Sequence, residues 1–267
     1  MQKGKISNLL RSLRLMHLVD RLRYYNQKLT NRYINKEFKK NNTDVILPSD
    51  YLMYESFQVN YKKYYTDGID TAKWIEEYFS KYKELKNLKI LDWGCGPGRI
   101  IRHLPKIIGN NCEFYGTDYN ENSIKWCAEN LPGIKFNKND LKAKLPYPDN
   151  FFDVIYGISI FTHLSEQMHY DWCKELHRIL NKNGILFLTT QGNIFNVKFT
   201  DIEKSRFETG KLIVRGQVKE GHRTYSAFQP KEFMIKLFDN VEILEHVEKE
   251  PESNWLPQDI WIVRKIV

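Results

Sequence analysis

The chain has 267 residues, 42% of them apolar, enough to bury a sizeable core in one α/β domain carrying an appended segment. No uninterrupted apolar stretch reaches bilayer-crossing length, and the segment that follows Met1-Gln2-Lys3-Gly4-Lys5 is broken by Arg11, Arg14, Asp20 and Arg21. A membrane span and a secretory leader are therefore not expected, and the protein reads as cytoplasmic, at most peripheral to the inner face of the membrane. The net charge of +8 is uneven: residues 1 to 40 hold eleven Lys or Arg against Asp20 and Glu37, a net of +9, which leaves −1 for the rest of the chain.

In chain order, Leu9, Leu10, Leu13, Met16, Leu18 and Leu22 recur at mostly helical spacing between arginines, predicting an amphipathic helix in a basic N-terminal arm of residues 1 to 68. Such an arm suits an anionic membrane surface, nucleic acid, a phosphorylated substrate or another subunit, or simply packs on its own domain. A tyrosine-rich stretch from Tyr51 to Tyr65 closes at Thr66-Asp67-Gly68, which reads as a turn, and a helix follows over Ala72 to Leu85.

Regular alternation begins there, in the segment 69 to 267. Strands are predicted over Lys89 to Asp92, Glu113 to Thr117, Ile134 to Phe136, Phe152 to Ile158 and Gly184 to Thr190. Helices lie between them over Arg99 to Ile108, Glu121 to Leu131 and Ser165 to Leu180, the last closed by the stop signal Asn181-Lys182-Asn183-Gly184. A helix over Lys231 to Phe238 and strands over Val241 to His246 and Ile260 to Val263 complete the set. Strands alternating with helices imply a mainly parallel sheet. An insertion, residues 191 to 229, breaks the rhythm and reads either as a pocket-shaping loop or as a small antiparallel flap. Cys95, Cys112, Cys127 and Cys173 are scattered without ligand-like spacing, which argues against a disulfide framework or structural zinc.

The chemistry centres on Leu91-Asp92-Trp93-Gly94-Cys95-Gly96-Pro97-Gly98-Arg99, between a strand and a helix. Glycines let the backbone turn tightly and approach a ligand, and a helix start offers unpaired N–H groups. A dinucleotide loop would want its third glycine at position 99, which is Arg99, and has no need of an acid at Asp92. A nicotinamide dehydrogenase is therefore disfavoured.

The pattern Asp92-x-Gly94-x-Gly96-x-Gly98 resembles motif I of class I S-adenosylmethionine-dependent methyltransferases, and the similarity runs over roughly residues 70 to 190. The resemblance implies a Rossmann-like α/β fold, a mainly parallel seven-stranded sheet with helices on both faces, and S-adenosyl-L-methionine as cofactor, leaving as S-adenosyl-L-homocysteine. It implies that Asp92 and the glycines line the aminoacyl end, that Asp118 accepts from both ribose hydroxyls, and that Tyr119 flanks the adenine. Asp140 would take the adenine amine, Leu141 would offer its backbone N–H, and backbone near Gly157 and Ile158 would meet the methionine end.

A hydroxyl acceptor needs a base, and His163 after the fourth strand is the first candidate, with His222 in the insertion the second. Either also reads as a structural residue. No cluster of acids and histidines suggests a catalytic metal, so metal-independent transfer is expected. Gly157-Ile158-Ser159-Ile160 stands where amino-group base methylases carry an Asn-Pro-Pro-Tyr type sequence, which disfavours base amines. Thr224-Tyr225-Ser226-Ala227-Phe228 and Gln258 to Lys265 resemble methyltransferases of surface-polysaccharide biosynthesis, implying O-methylation of a sugar, nucleotide-sugar or lipid-linked glycan. Tyr61, Tyr64, Tyr65 and Trp255 would suit stacking on sugar faces. A nucleic-acid methyltransferase using the basic arm and a non-catalytic binding protein of the same fold are the rival readings, and an oligomer is compatible with either.

Overall fold

A computed structural model describes residues 3–109, 111–251 and 255–266. The opening Met1-Gln2 lies outside the described residues. Ten helices are described, α1 (Lys3–Ser12), α2 (Met16–Thr30), α3 (Arg32–Asn41), α4 (Asp50–Ser56), α5 (Tyr61–Tyr82), α6 (Leu104–Ile107), α7 (Glu121–Asn130), α8 (Glu166–Ile179), α9 (Asp201–Glu208) and α10 (Lys231–Leu237). The strands are β1 (Lys89–Trp93), β2 (Glu113–Asp118), β3 (Ile134–Lys138), β4 (Phe152–Gly157), β5 (Leu180–Thr190), β6 (Ile213–Arg215), β7 (Ser226–Phe228), β8 (Val241–Val247) and β9 (Asp259–Lys265). Seven form one sheet in the order β3-β2-β1-β4-β5-β9-β8, and β6-β7 form a two-stranded ribbon. The chain divides into two compact units, residues 18–140 and residues 1–17 with 141–267.

In the first unit β1, β2 and β3 are parallel, with Asp92 level with Gly116 and Asp118 with Lys138. Ile90 and Leu91 are fully buried, as the near-continuous apolar character of a parallel strand requires. The arm contributes a second cluster, in which Phe38, Met53, Tyr54, Val59, Tyr61 and Tyr64 pack together. The turn expected at Thr66-Asp67-Gly68 does not form, because α5 runs through it: Asn60 caps the helix by accepting from the Lys63 N–H at 3.0 Å. Gly68 is buried within α5, and a Cβ there would stand 2.5 Å from the Arg99 carbonyl oxygen. The glycine serves close packing against the following loop, so its turn signal misleads.

In the second unit β4 and β5 are parallel, while β5 with β9 and β9 with β8 are antiparallel. The expected stop at Asn181 to Gly184 is a register irregularity of β5: Phe152 pairs with Leu180, then Val154 with Ile185, and Asn183 takes φ 61°. The insertion forms α9 and the β6-β7 ribbon over its own core of Phe195, Phe199, Phe207, Ile213 and Phe228. From α1, Arg11 donates to the carbonyls of Arg215 (2.8 Å), Gly216 (3.0 Å) and Thr224, while Arg215 pairs bidentately with Glu203. The single amphipathic helix expected over Leu9 to Leu22 is two helices, α1 and α2, with Arg14 at φ 54° between them. The helix expected over Arg99 to Ile108 is likewise a short 3-10 turn, Ile101–His103, followed by α6.

Gly68→Ala separates two opposed effects. Helix propensity alone would stabilise α5 by about 1 kcal/mol, whereas a methyl group driven into a backbone carbonyl costs about 1–3 kcal/mol. The contact dominates, and the variant should unfold at a lower urea concentration with unchanged m-value.

Candidate functional site

The residues singled out by the glycine motif gather at the carboxyl ends of β1, β2 and β3, all within residues 18–140. After Trp93 the chain turns through Gly94, Gly96 and Gly98, at φ 79°, 53° and 72°, and the N–H groups of Gly94 and Cys95 both donate to the Thr117 carbonyl, at 2.8 and 3.0 Å. These bonds hold the loop against the end of β2. At Gly98 the left-handed φ of 72° calls for glycine, and a Cβ there would also press on the tip of Leu131 at 2.5 Å. Asp92 is buried, one position before the loop's neighbour Trp93.

Asp118 closes β2. Its Oδ2 accepts from the Gly96 N–H at 2.9 Å and its Oδ1 from the Asn120 N–H at 2.7 Å. Each oxygen has further lone-pair capacity, and among the described residues no cation is paired with this carboxylate. Enclosure raises its pKa to about 6; the two backbone N–H bonds pull the other way, and the nearby Glu55 carboxylate adds to the rise. A carboxylate held in this state is completed by neutral donors that remove none of its charge, and a pair of adjacent hydroxyls is such a partner. The two acceptor oxygens therefore fit a ligand that presents neighbouring hydroxyls. Tyr119 follows, its hydroxyl pKa pushed up to about 12 by burial.

Asn120 joins several parts. Its Oδ1 accepts from the N–H groups of Asn122 and Ser123, capping α7, and its Nδ2 donates to Glu55 Oε2 at 2.8 Å. Glu55 is a residue the sequence reading did not single out; it sits in α4, in the arm, where no motif marks it. Ser56 beside it approaches Gly96 closely enough that a Cβ there would meet the serine Cβ at 3.0 Å. Tyr64 of α5 is fully buried and donates to the Pro97 carbonyl at 3.0 Å. It serves the loop and is closed to sugar stacking. Tyr61 is also engaged internally, donating to Asp50 at 2.6 Å with Lys39 over its ring. Tyr65 meets His103 edge-on, while Trp255 is exposed. Beyond β3, Thr117 Oγ1 donates to Asn139 Oδ1 at 2.7 Å and Asn139 Nδ2 to the Asp140 carbonyl at 2.7 Å, leaving the Asp140 side chain exposed.

In the other unit, Leu141 accepts the Trp172 indole N–H on its carbonyl at 3.1 Å. Gly157 ends β4 and Ile158 follows it. The next residue, Ser159, takes φ 64°, and its N–H donates to Thr189 Oγ1 at 2.9 Å. Thr189 in turn donates to Gln258 Oε1 at 2.6 Å and Gln258 Nε2 to Ser159 Oγ at 2.8 Å, closing a polar ring at the end of β4. A non-glycine residue in that conformation costs of order 1 kcal/mol or more and persists only where its surroundings fix it.

His163 closes the 3-10 turn after this ring. Its Nδ1 lies 2.8 Å from the Tyr225 carbonyl, which can only accept, so Nδ1 carries the proton and Nε2 holds the lone pair. Burial lowers its pKa from the ordinary value, keeping the ring neutral. His222 has the opposite tautomer: the Thr224 N–H donates to its Nδ1 at 3.2 Å, so the proton sits on Nε2 and the basic nitrogen is engaged. The β8-β9 pairing also gathers His246, Glu248 and Asp259, the group among the described residues able to approach a metal ion. Its imidazole turns Nε2 to Asp259 (3.2 Å) and Nδ1 to Glu248 (4.0 Å), so the ring bridges two carboxylates through opposite nitrogens.

Residues 90–184 match the family model described as a methyltransferase domain. Among curated relatives, the chain is 34% identical over 97 residues to the cycloartenol-C-24-methyltransferase of Arabidopsis thaliana, covering 34% of this chain and 28% of that protein. It is 30% identical over 116 residues to the ubiquinone biosynthesis O-methyltransferase of Pelagibacter ubique, covering 42% and 45%. The matches thus span less than half the length of these relatives. Among solved structures, a SAM-dependent methyltransferase from Methanosarcina mazei superposes with a TM-score of 0.55 at 18% identity, over 71% of this chain and 97% of that one. That likeness carries the fold. Residues 90–184 thus resemble a methyltransferase domain in sequence, and the solved structure shares its fold.

The raised Asp118 pKa has a sign that stability measurements can read. An acid whose folded pKa lies above its unfolded value holds its proton more tightly in the native state, so its contribution is complete below about pH 4 and is lost as pH rises through about 6. Relative to Asp118→Asn, the wild type should lose unfolding free energy between pH 4 and 6 and then run parallel, as followed by urea denaturation. A difference flat across that window would refute the shift.

Proposed function

We propose that the protein transfers the methyl group of S-adenosylmethionine to a hydroxyl oxygen of its acceptor. The observation that carries the cofactor half of the reading is Asp118, a carboxylate held at the end of β2 by two backbone N–H groups, one of them from the glycine loop, and left with acceptor capacity but no cation among the described residues. In this reading Asp118 binds both ribose hydroxyls, Asp92 and the open turns of Gly94 to Gly98 receive the aminoacyl end, Tyr119 flanks the adenine, and Asp140 takes its amine. Bound there, the cofactor supplies an electrophilic methyl on a sulfonium. The protein's own work is orientation, since placing reacting atoms in line contributes most of the available acceleration.

For a hydroxyl acceptor, His163 takes the proton at Nε2. Support comes from its tautomer, fixed by the Tyr225 carbonyl, and from burial that keeps the ring neutral. His222 is the weaker candidate, because its basic nitrogen already accepts from Thr224. Thr224 to Phe228 and Gln258, which resemble glycan methyltransferases, hold His163, His222 and Ser159 in place, so the glycan reading rests on that resemblance alone. The relative named as a ubiquinone biosynthesis O-methyltransferase favours a hydroxyl on a lipophilic acceptor, which we place ahead of a sugar hydroxyl, while the cycloartenol relative is named for transfer to carbon.

The test is methyl transfer from labelled S-adenosylmethionine to a panel of phenolic and glycan hydroxyl acceptors, read by mass spectrometry. Products bearing a methyl ether are expected; transfer only to carbon or nitrogen would overturn the hydroxyl reading. For the accepted substrate, His163→Gln should lower kcat by about 100-fold or more with little change in KM for the cofactor. The acid limb of the wild-type kcat profile should lie below the ordinary histidine value, because burial depresses this imidazole.

A further inference from the structure

Helix α2 has two apolar faces, and among the described residues only one of them is covered. On the inner face the Asp20 carbonyl and carboxylate both accept from the Tyr54 hydroxyl at 2.7 Å, Tyr24 packs edge-on to Tyr51 and Tyr54, and Gln27 Oε1 accepts from the Val59 N–H at 2.9 Å. These contacts fix the rotation of the helix. At roughly 100° per residue, Leu18, Leu22, Tyr25 and Leu29 then fall in one narrow stripe on the opposite side. Leu22 is 70% and Leu29 71% exposed. A surface helix ordinarily turns its single apolar stripe inward, and a second one facing water marks a contact surface.

The charges beside the stripe select what covers it. Residues 18–40 hold seven Lys or Arg and two acids, of which Asp20 is buried under Tyr54. Arg21 runs along one edge of the stripe, where Lys28 is already ion-paired to Asp50 at 3.0 Å. The outer face of α3 continues with Lys36 and Lys40 beside Tyr33, which is 81% exposed, and with Glu37 as the one acid on that face. A second copy seated on the stripe by two-fold symmetry would bring the same cations together. Nucleic acid would satisfy the cations but leave the leucines in water. An anionic bilayer answers both features, taking leucines at the acyl boundary, tyrosines at the headgroups and cations at the phosphates.

We propose that α2 and α3 form a membrane-docking face, on which Leu18, Leu22, Tyr25 and Leu29 enter the headgroup boundary of a bilayer containing anionic lipid. No described helix is long and apolar enough to cross a membrane, so the attachment is interfacial and reversible. The proposal is independent of the acceptor and of methyl transfer.

Flotation of the full-length protein with vesicles of phosphatidylcholine, with and without phosphatidylglycerol, tests it. The protein should float with the anionic vesicles, lose binding as salt rises, and remain free of pure phosphatidylcholine. Leu22→Glu combined with Leu29→Glu should weaken vesicle binding by about tenfold or more while leaving S-adenosylmethionine affinity by calorimetry unchanged, which also reports that the variant folds. Should that variant fail to fold, Leu29→Trp provides the same answer through a blue shift of its emission on anionic vesicles. Absence of flotation, undiminished flotation of the double variant, or unshifted emission would overturn the proposal. So would light scattering that finds a dimer separated by the double substitution, since a second copy would then occupy the face.

Discussion

The glycine loop has no structure of its own without the end of β2. Gly94 and Cys95 donate to the Thr117 carbonyl, and Gly96 donates to the carboxylate of Asp118, so three successive N–H groups of the loop are spent on two successive residues of the neighbouring strand. The loop can hold left-handed turns at Gly94, Gly96 and Gly98 because those bonds oppose the local cost, and Asp118 can remain a poorly neutralised carboxylate because the loop supplies one of its donors. Strand end and loop are thus one mutually dependent unit. A change to either should alter the other before it reaches the rest of the fold.

The arm supports that unit. Tyr64 bonds the Pro97 carbonyl, Ser56 stands against Gly96, and Glu55 receives the Asn120 amide that also caps α7. Residues 50–64 therefore belong to the physical site even though they precede the motif by some distance in sequence. Glu55 also keeps a second carboxylate near Asp118, an arrangement suited to a ligand rich in hydroxyl and amine donors and poorly suited to phosphate. The same contrast separates this loop from a dinucleotide loop, whose ligand brings negative charge to the turn.

The alternation of strands and helices was legible because each element carries a strong local signal. Buried Ile90 and Leu91, the Asn120 cap and the apolar run of β4 all say the same thing locally and globally. Reading failed where a residue served two levels at once. Gly68 has the composition of a turn, but tertiary packing against the Arg99 carbonyl set its place in a continuous helix; Asn183 and Gly184 look like a terminator yet lie in an irregular strand. Leu9 to Leu22 has helical spacing throughout, and periodicity alone cannot show that Arg14 adopts a positive φ. Glu55 was invisible because its importance comes from one long-range bond to Asn120. The tautomers of His163 and His222 likewise depend on the Tyr225 carbonyl and the Thr224 N–H, which only the folded ribbon brings into place.

The proposed function depends on Asp118 holding the cofactor ribose. Calorimetric titration of the purified protein with S-adenosylmethionine, wild type beside Asp118→Ala, tests this most directly. The account predicts saturable one-site binding that the substitution weakens by about tenfold or more, the loss expected when a ligand's hydroxyls lose a charged acceptor. Equal affinity in the two proteins, or no binding by folded wild type, would contradict it.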